Sequence, residues 1–373
     1  MKTSNLKAAL MAAAVSICLV PIVAPAQQPA PAAKAYKAPR LSNGLPDING
    51  VWTNATITPL ERSADYGNRL VMTPEELRKV EQAEAEYIAE GDKPTNPNFT
   101  IADLPVNCGR GFSGVNCGYN RGWTDPGSTV MRVNGEPRTS FITSTPNGRV
   151  PAPKAGAQAA GRGGGGAGAG RGGAAPAAGG AAAPARMGQF DNPEQRGLGE
   201  RCIMSFGSSA GPVMLPLLYN NNYKIVQSKD SVGIWVEMVH DVRVIRIGDK
   251  HRTDGIRPLM GDSIGWYEGD TLVAETTNFP QRQGLRGAWE DLKVTERFTR
   301  RGPDRLLYQF KVEAPSMWDT AWGGEYEFKA TKGEIYEYAC HEGNYALEGI
   351  LAGARNDEAV AARAAAGRPA GTQ

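Results

Sequence analysis

From Tyr223 onward, apolar and polar residues alternate with a period of two. Val232, Ile234, Val236 and Met238 form one apolar set, with Gly233, Trp235 and Glu237 between them. That period marks a strand with one buried face. Runs of this kind predict strands at about 223–228, 232–240, 242–247, 263–268, 271–277, 293–299, 306–313, 326–331 and 334–340. Tight-turn signals separate several of them: Glu268-Gly-Asp270, Arg301-Gly-Pro-Asp304 and Lys332-Gly333. Short connections make neighbouring strands antiparallel. Such a series without helices between its members predicts a mainly β fold, an antiparallel barrel-like or strongly curved sheet.

The first half is patterned differently. Leu45-Pro-Asp-Ile-Asn-Gly-Val-Trp52 reads as a turn leading into a first strand. Thr73-Pro-Glu-Glu76 is a helix start, with Thr as cap, Pro in the first turn and Glu three residues after the cap. It predicts a helix over about 74–89, within an N-terminal part of the β domain at 41–153. Residues 94–135 are rich in Gly, Asn and Pro and predict an ordered loop region, and 138–143 a further strand. The stretch 154–187 is almost wholly Gly and Ala, with too few large apolar side chains to bury, and reads as a disordered insertion. A strand-rich core at 188–355 follows. The chain turns helical after Asn344 and ends in a tail at 356–373.

The start of the chain predicts export. Lys2 and Lys7 precede an apolar stretch, and Ala24-Pro25-Ala26 is a small-x-small cleavage site, so 1–26 reads as a signal peptide. The apolar stretch is too short and too Pro-interrupted for a membrane span, and none is expected in the mature chain. Residues 27–40 read as a disordered leader. Losing two lysines and no acid takes the formal charge from +2 to 0. A neutral mature chain has no general attraction for nucleic acid or for an anionic membrane. Export places Cys108, Cys117, Cys202 and Cys340 in an oxidising compartment, where an even count predicts two disulfides. Cys108 and Cys117 are close in sequence with glycines to supply the turns. Pairing them leaves Cys202 with Cys340.

Candidate chemistry is sparse. The chain has three histidines. His240 continues the apolar set of its strand and is expected to point with it. Asp241 then points away unless the chain turns there. Glu296 lies between Val294 and Phe298 on an apolar face, where a carboxylate is costly unless paired. It is either a cavity-facing acid or the partner of an arginine such as Arg243, Arg246, Arg297 or Arg305. His341 follows Cys340 at a strand exit, in the polar run His-Glu-Gly-Asn-Tyr345. His251, among Lys250, Arg252 and Asp254, reads as a solvated loop residue. The candidate catalytic set is therefore His240 or His341 as general base, with Asp241, Glu296 or Glu342 as the acid partner. Trp235, Tyr338, Asn344 and Tyr345 are candidate walls of a ligand site. No Gly-x-Ser-x-Gly nucleophile, phosphate-binding glycine loop or His-x-x-x-His pair is present. No cofactor is indicated, and spacing neither supports nor excludes a metal between the histidines and Glu296 or Glu342. Two functions follow: an enzyme acting on a small polar organic substrate by hydrolysis or elimination, or a non-catalytic small-molecule-binding protein.

The stretches Asn147-Gly-Arg-Val-Pro151, Gly199-Glu-Arg-Cys202, Tyr219-Asn-Asn-Asn-Tyr223, Glu237-Met-Val-His-Asp241, Glu268-Gly-Asp-Thr-Leu-Val273, Thr295-Glu-Arg-Phe-Thr299 and Tyr336-Glu-Tyr-Ala-Cys-His-Glu-Gly-Asn-Tyr345 carry a resemblance. With them the chain resembles an uncharacterised family of exported proteins of Gram-negative bacteria. The resemblance implies a periplasmic or secreted single-unit protein and assigns no activity. Separately, Gly50-Val-Trp52 is similar to the Gly-x-Trp of the first strand of lipocalin-type barrels, which agrees with the strand count.

Overall fold

The computed structural model describes residues 36–94, 97–98, 100, 125–157, 190–205 and 211–366. The expected signal peptide, most of the leader, the Gly/Ala insertion from 158 and the Cys108–Cys117 pairing lie outside them. The described strands close into a nine-stranded barrel. They are β1 (Gly50–Thr53), β4 (Asn222–Gln227), β5 (Ser231–Val236), β6 (Val242–Ile247), β7 (Asp262–Glu268), β8 (Thr271–Thr277), β9 (Lys293–Arg300), β10 (Arg305–Glu313) and β11 (Trp322–Ala330). Two short strands, β2 (Arg132–Val133) and β3 (Glu136–Pro137), form a separate hairpin.

The alternation that predicted the strands also sorts their faces. Val232, Ile234 and Val236 of β5 are fully buried, as are Leu306, Tyr308 and Val312 of β10 and Tyr326 and Phe328 of β11. These side chains fill the barrel rather than lining an open channel. At one rim Trp52 stacks under Arg300, whose guanidinium lies 5.5 Å from the ring centre, and donates from Nε1 to Ile48 O at 3.1 Å. The opposite rim is crossed by 139–144 and by 211–215. Gly324 of β11 is required there: a Cβ would come within 2.1 Å of the Phe141 carbonyl oxygen.

The ladder differs from the expected one at one seam. β6 and β7 pair in parallel, Ile245 opposite Ser263 and Ile247 opposite Gly265, while every other barrel pair is antiparallel. Residues 248–261 make the crossover that a parallel pair needs. β1 closes the barrel by pairing with both β4 and β11. With those edges taken, the strand expected at 334–340 does not form. Tyr336 in that segment is 83% exposed.

α1 (Pro74–Gly91) begins as its sequence predicts. Thr73 Oγ1 accepts from Glu76 N at 3.2 Å, and Thr73 N donates to Glu76 Oε2 at 2.8 Å. α2 (Tyr345–Ala366) runs past residue 356, where a tail was expected. Within the expected leader, Ala38 is buried and Arg40 pairs with Asp270. Cys202 and Cys340 form a disulfide that ties the segment before α2 back to 202. No helix among the described residues is long and apolar enough to cross a membrane.

Candidate functional site

The polar residues that the barrel buries converge on one point. Arg243 faces inward from β6 and Glu296 from β9, and both are essentially inaccessible to solvent. Arg243 Nη1 donates to Glu296 Oε2 at 2.5 Å and Nη2 to Oε1 at 3.1 Å. A carboxylate and a guanidinium in this fork geometry satisfy each other's charge and most of each other's hydrogen-bonding capacity. Tyr308 OH adds a third hydrogen bond, donating to Glu296 Oε1 at 2.8 Å. Of the two readings of Glu296 from sequence, pairing with an arginine is the one realised, and Arg243 is the partner.

Around the ion pair stands an aromatic cluster. The Tyr308 ring centre lies 4.9 Å from that of Tyr326, 5.1 Å from Phe298 and 5.7 Å from Phe328. Tyr223 meets Phe328 edge-on at 5.5 Å. Burial pushes the Tyr308 hydroxyl well above its ordinary pKa, and the nearby Glu296 charge adds to the effect. Burial raises Tyr326 and Tyr223 likewise. All three therefore act as hydrogen-bonding phenols and not as proton-transfer groups near neutral pH.

Met214 inserts into this cluster from the loop before β4. Its N–H donates to Tyr308 OH at 3.1 Å, and its carbonyl accepts from Tyr326 OH and, at 3.4 Å, from Asn54 Nδ2. Arg243 Nη2 reaches its sulfur at 3.6 Å. Asn54 Nδ2 also reaches Tyr326 OH at 3.3 Å. Two buried polar atoms here, Asn54 Oδ1 and Arg243 Nε, have no hydrogen-bond partner among the described residues.

The sequence-derived candidates are placed elsewhere. β5 ends at Val236, and the chain turns through Met238–His240 with positive φ at Val239 (61°) and His240 (47°). His240 is exposed at the tip of this hairpin and not on the inner face, because the strand parity stops with the strand. Asp241 Oδ2 accepts from Ser205 N at 2.8 Å, and burial raises its pKa to about 6. His341 and Glu342 are exposed, and neither His240 nor His341 makes a side-chain hydrogen bond or ion pair to any described residue. The 202–205 segment holds Cys340 by its disulfide and Asp241 by its amide, so both histidines flank one stretch of chain. Glu296, enclosed by Arg243 and Tyr308, belongs to neither.

The expected ligand walls divide in the same way. Trp235 lies on the outer face of β5, with Lys224 6.0 Å over its ring. Tyr338 packs against the core. Asn344 Nδ2 donates to Glu200 O at 2.8 Å, and Tyr345 is 79% exposed. His251 is more engaged than its loop position suggested. Its Nδ1 lies 2.9 Å from Asp262 Oδ2 and its Nε2 3.3 Å from Glu275 Oε1. The carboxylates sit on opposite ring nitrogens and do not converge, and no metal-holding cluster of three occurs among the described residues.

Sequence reading missed Asn54, Met214, Tyr223, Tyr308 and Tyr326. The tyrosines carried a usable signal, since each lies on the apolar face of its strand with a hydroxyl that needs a partner, as Glu296 does. Met214 carried none.

No family model and no curated protein matches the chain. Among solved structures it is similar to one described as a mutant of the fluorescent protein UnaG. The TM-score is 0.20 and the identity 13%, over 36% of this chain and 86% of that one. The barrel assignment rests on the strand pairing above.

Proposed function

We propose that the chain binds a small molecule inside its barrel, at the pole formed by Arg243, Glu296, Tyr308, Tyr326 and Asn54. The observation that carries this reading is the polar centre itself. A buried ion pair gives less stability than apolar packing of equal volume. Here it is fully enclosed, surrounded by aromatic side chains, and accompanied by an unmet donor on Arg243 and an unmet acceptor on Asn54. Concave apolar surroundings with a few convergent polar groups are the usual make-up of a ligand site. His240 has the charge of Asp241 beside it but no hydrogen bond to it, and His341 has no described side-chain partner, so binding is favoured over hydrolysis or elimination.

The test is a panel of small neutral, acidic and basic compounds screened by thermal shift on wild type and on Tyr308→Phe. Compounds that stabilise the wild type should stabilise the variant less, because binding energy raises the melting temperature by mass action. Equal shifts in both would place binding outside the barrel. Export belongs to the same proposal and is supported by the Cys202–Cys340 disulfide. Non-reducing peptide mapping of the native protein should recover that pair, and free thiols at both positions would refute it.

A further inference from the structure

Met214 is held as a ligand would be held. Its peptide N–H, its carbonyl and its thioether each meet a buried polar group of the barrel, and Val213, Met214 and Leu215 are themselves buried. The segment is not part of any strand, and its polar contacts come from separate parts of the wall: Asn54 after β1, Arg243 on β6, Tyr308 on β10 and Tyr326 on β11, with Glu296 on β9 behind Tyr308. We propose that 213–215 occupies the ligand's place, and that the external ligand is a neutral N-acyl α-amino amide with an apolar side chain. This inference rests on the barrel-interior reading above.

The chemistry follows from which groups are already matched. Arg243 and Glu296 neutralise each other, so the pole has no charge left to offer. A carboxylate entering it would put a second anion beside Glu296 with nothing to balance it, at a large desolvation cost. An alcohol would have to donate to Tyr308 OH and accept from Tyr326 OH through a single oxygen, where Met214 uses two separate atoms. An N-acyl α-amino amide supplies, on two adjacent amide groups, one N–H for Tyr308 OH and one carbonyl for Tyr326 OH, as the backbone of Met214 does. The unmet Asn54 Oδ1 and Arg243 Nε add a further acceptor and a further donor. The apolar side chain takes the volume of the Met214 side chain, which lies in the core cluster beside Arg243.

An external amide must displace the segment, so loosening the segment should uncover the site. The triple variant Val213→Gly, Met214→Gly, Leu215→Gly removes its apolar anchors and leaves the barrel wall intact. Three probes separate the alternatives by calorimetric titration: N-acetylmethioninamide, octanoate and 1-octanol. N-acetylmethioninamide should bind the glycine variant at least about ten-fold more tightly than wild type, because the competing internal ligand is weakened. It should also exceed octanoate there, and Tyr308→Phe in the same background should lose about ten-fold.

Octanoate binding as tightly as the amide would overturn the ligand class while leaving interior binding standing. Equal amide affinity in wild type and glycine variant would show that 213–215 is not in the ligand's place. Binding of none of the three by a variant with a wild-type circular dichroism spectrum would remove the interior site altogether. Should the variant not fold, hydrogen exchange of the wild type decides. Saturating N-acetylmethioninamide should accelerate exchange at the Met214 amide, and unchanged exchange overturns the proposal.

Discussion

Arg243 and Arg246 stand on the same strand and face opposite sides of the barrel wall. Arg243 is enclosed and meets a single carboxylate, Glu296. Arg246 is a third exposed and meets two, Asp249 at 2.5 Å and Asp262 at 2.6 Å, with the Lys250 carbonyl at 2.8 Å. By count of partners the outer arginine is the better served. By consequence of loss the order reverses. Water replaces a missing partner outside, whereas nothing replaces it inside. The number of contacts a charge makes is therefore a poor guide to what the fold loses with it.

The largest expected effect tests the inner pair. Arg243→Met leaves Glu296 buried and uncompensated, and should lower unfolding free energy by about 3–5 kcal/mol in denaturant titration. Adding Glu296→Leu should restore most of that loss. A double variant no more stable than the single one would break the comparison, because the cost would then lie in packing rather than in the orphaned charge.

The outer cluster predicts a smaller, pH-dependent effect. Burial opposes ionisation of Asp262, but hydrogen bonds from Arg246, the Arg252 amide and His251 prevail and hold its pKa at about 2, below the ordinary 3.8. The ionised form is thus the stabilising one, fully effective above about pH 4 and lost as pH falls through 2. Asp262→Asn should cost about 2 kcal/mol near neutral pH, and its gap from wild type should close on acidification to about pH 2. A gap independent of pH would assign the loss to geometry instead.

Asp241 slopes the other way. Its raised pKa of about 6 means the protonated form is favoured by the fold, so its contribution is present below about pH 4 and is lost as pH rises through 6. Asp241→Asn should flatten that part of the stability profile, by an amount comparable with the Asp262 effect, since the two shifts are of similar size. The smallest change is expected from His341→Ala. An exposed side chain without a described partner should alter unfolding free energy by less than about 0.5 kcal/mol, and should leave ligand-induced thermal shifts unchanged.

Much of this architecture is written in the alternation. The bounds of β6 and β8 follow from it directly, and so does the inward face of Glu296, because a buried face permits only one parity. Three things are not written there. Alternation is blind to strand direction, so the parallel β6–β7 seam could not be read. It is blind to which edges are free, so Tyr336 and Tyr338 suggested a strand for which no edge remains. It also ends where the backbone turns, and extending it past Val236 put His240 on the wrong side. The site was half legible: Glu296 and the arginine class of its partner came from pattern, whereas Met214 reaches the barrel from a loop that pattern does not govern.

The closing strand has a consequence for the order of assembly. β4 through β11 follow one another along the chain, mostly by short connections, and can pair as they emerge. β1 precedes them all and is separated from β4 by α1, the β2–β3 hairpin and the long loops around them, yet it alone joins β4 to β11. Until it docks, two strand edges stay open, and open edges invite pairing with other chains. Contacts so distant in sequence form slowly. The first strand synthesised should therefore be the last one placed, and the interval before it arrives is when this protein is most exposed to self-association. Moving β1 to follow Ala330 in a circular permutant should shorten that interval and raise the yield of refolding at high protein concentration.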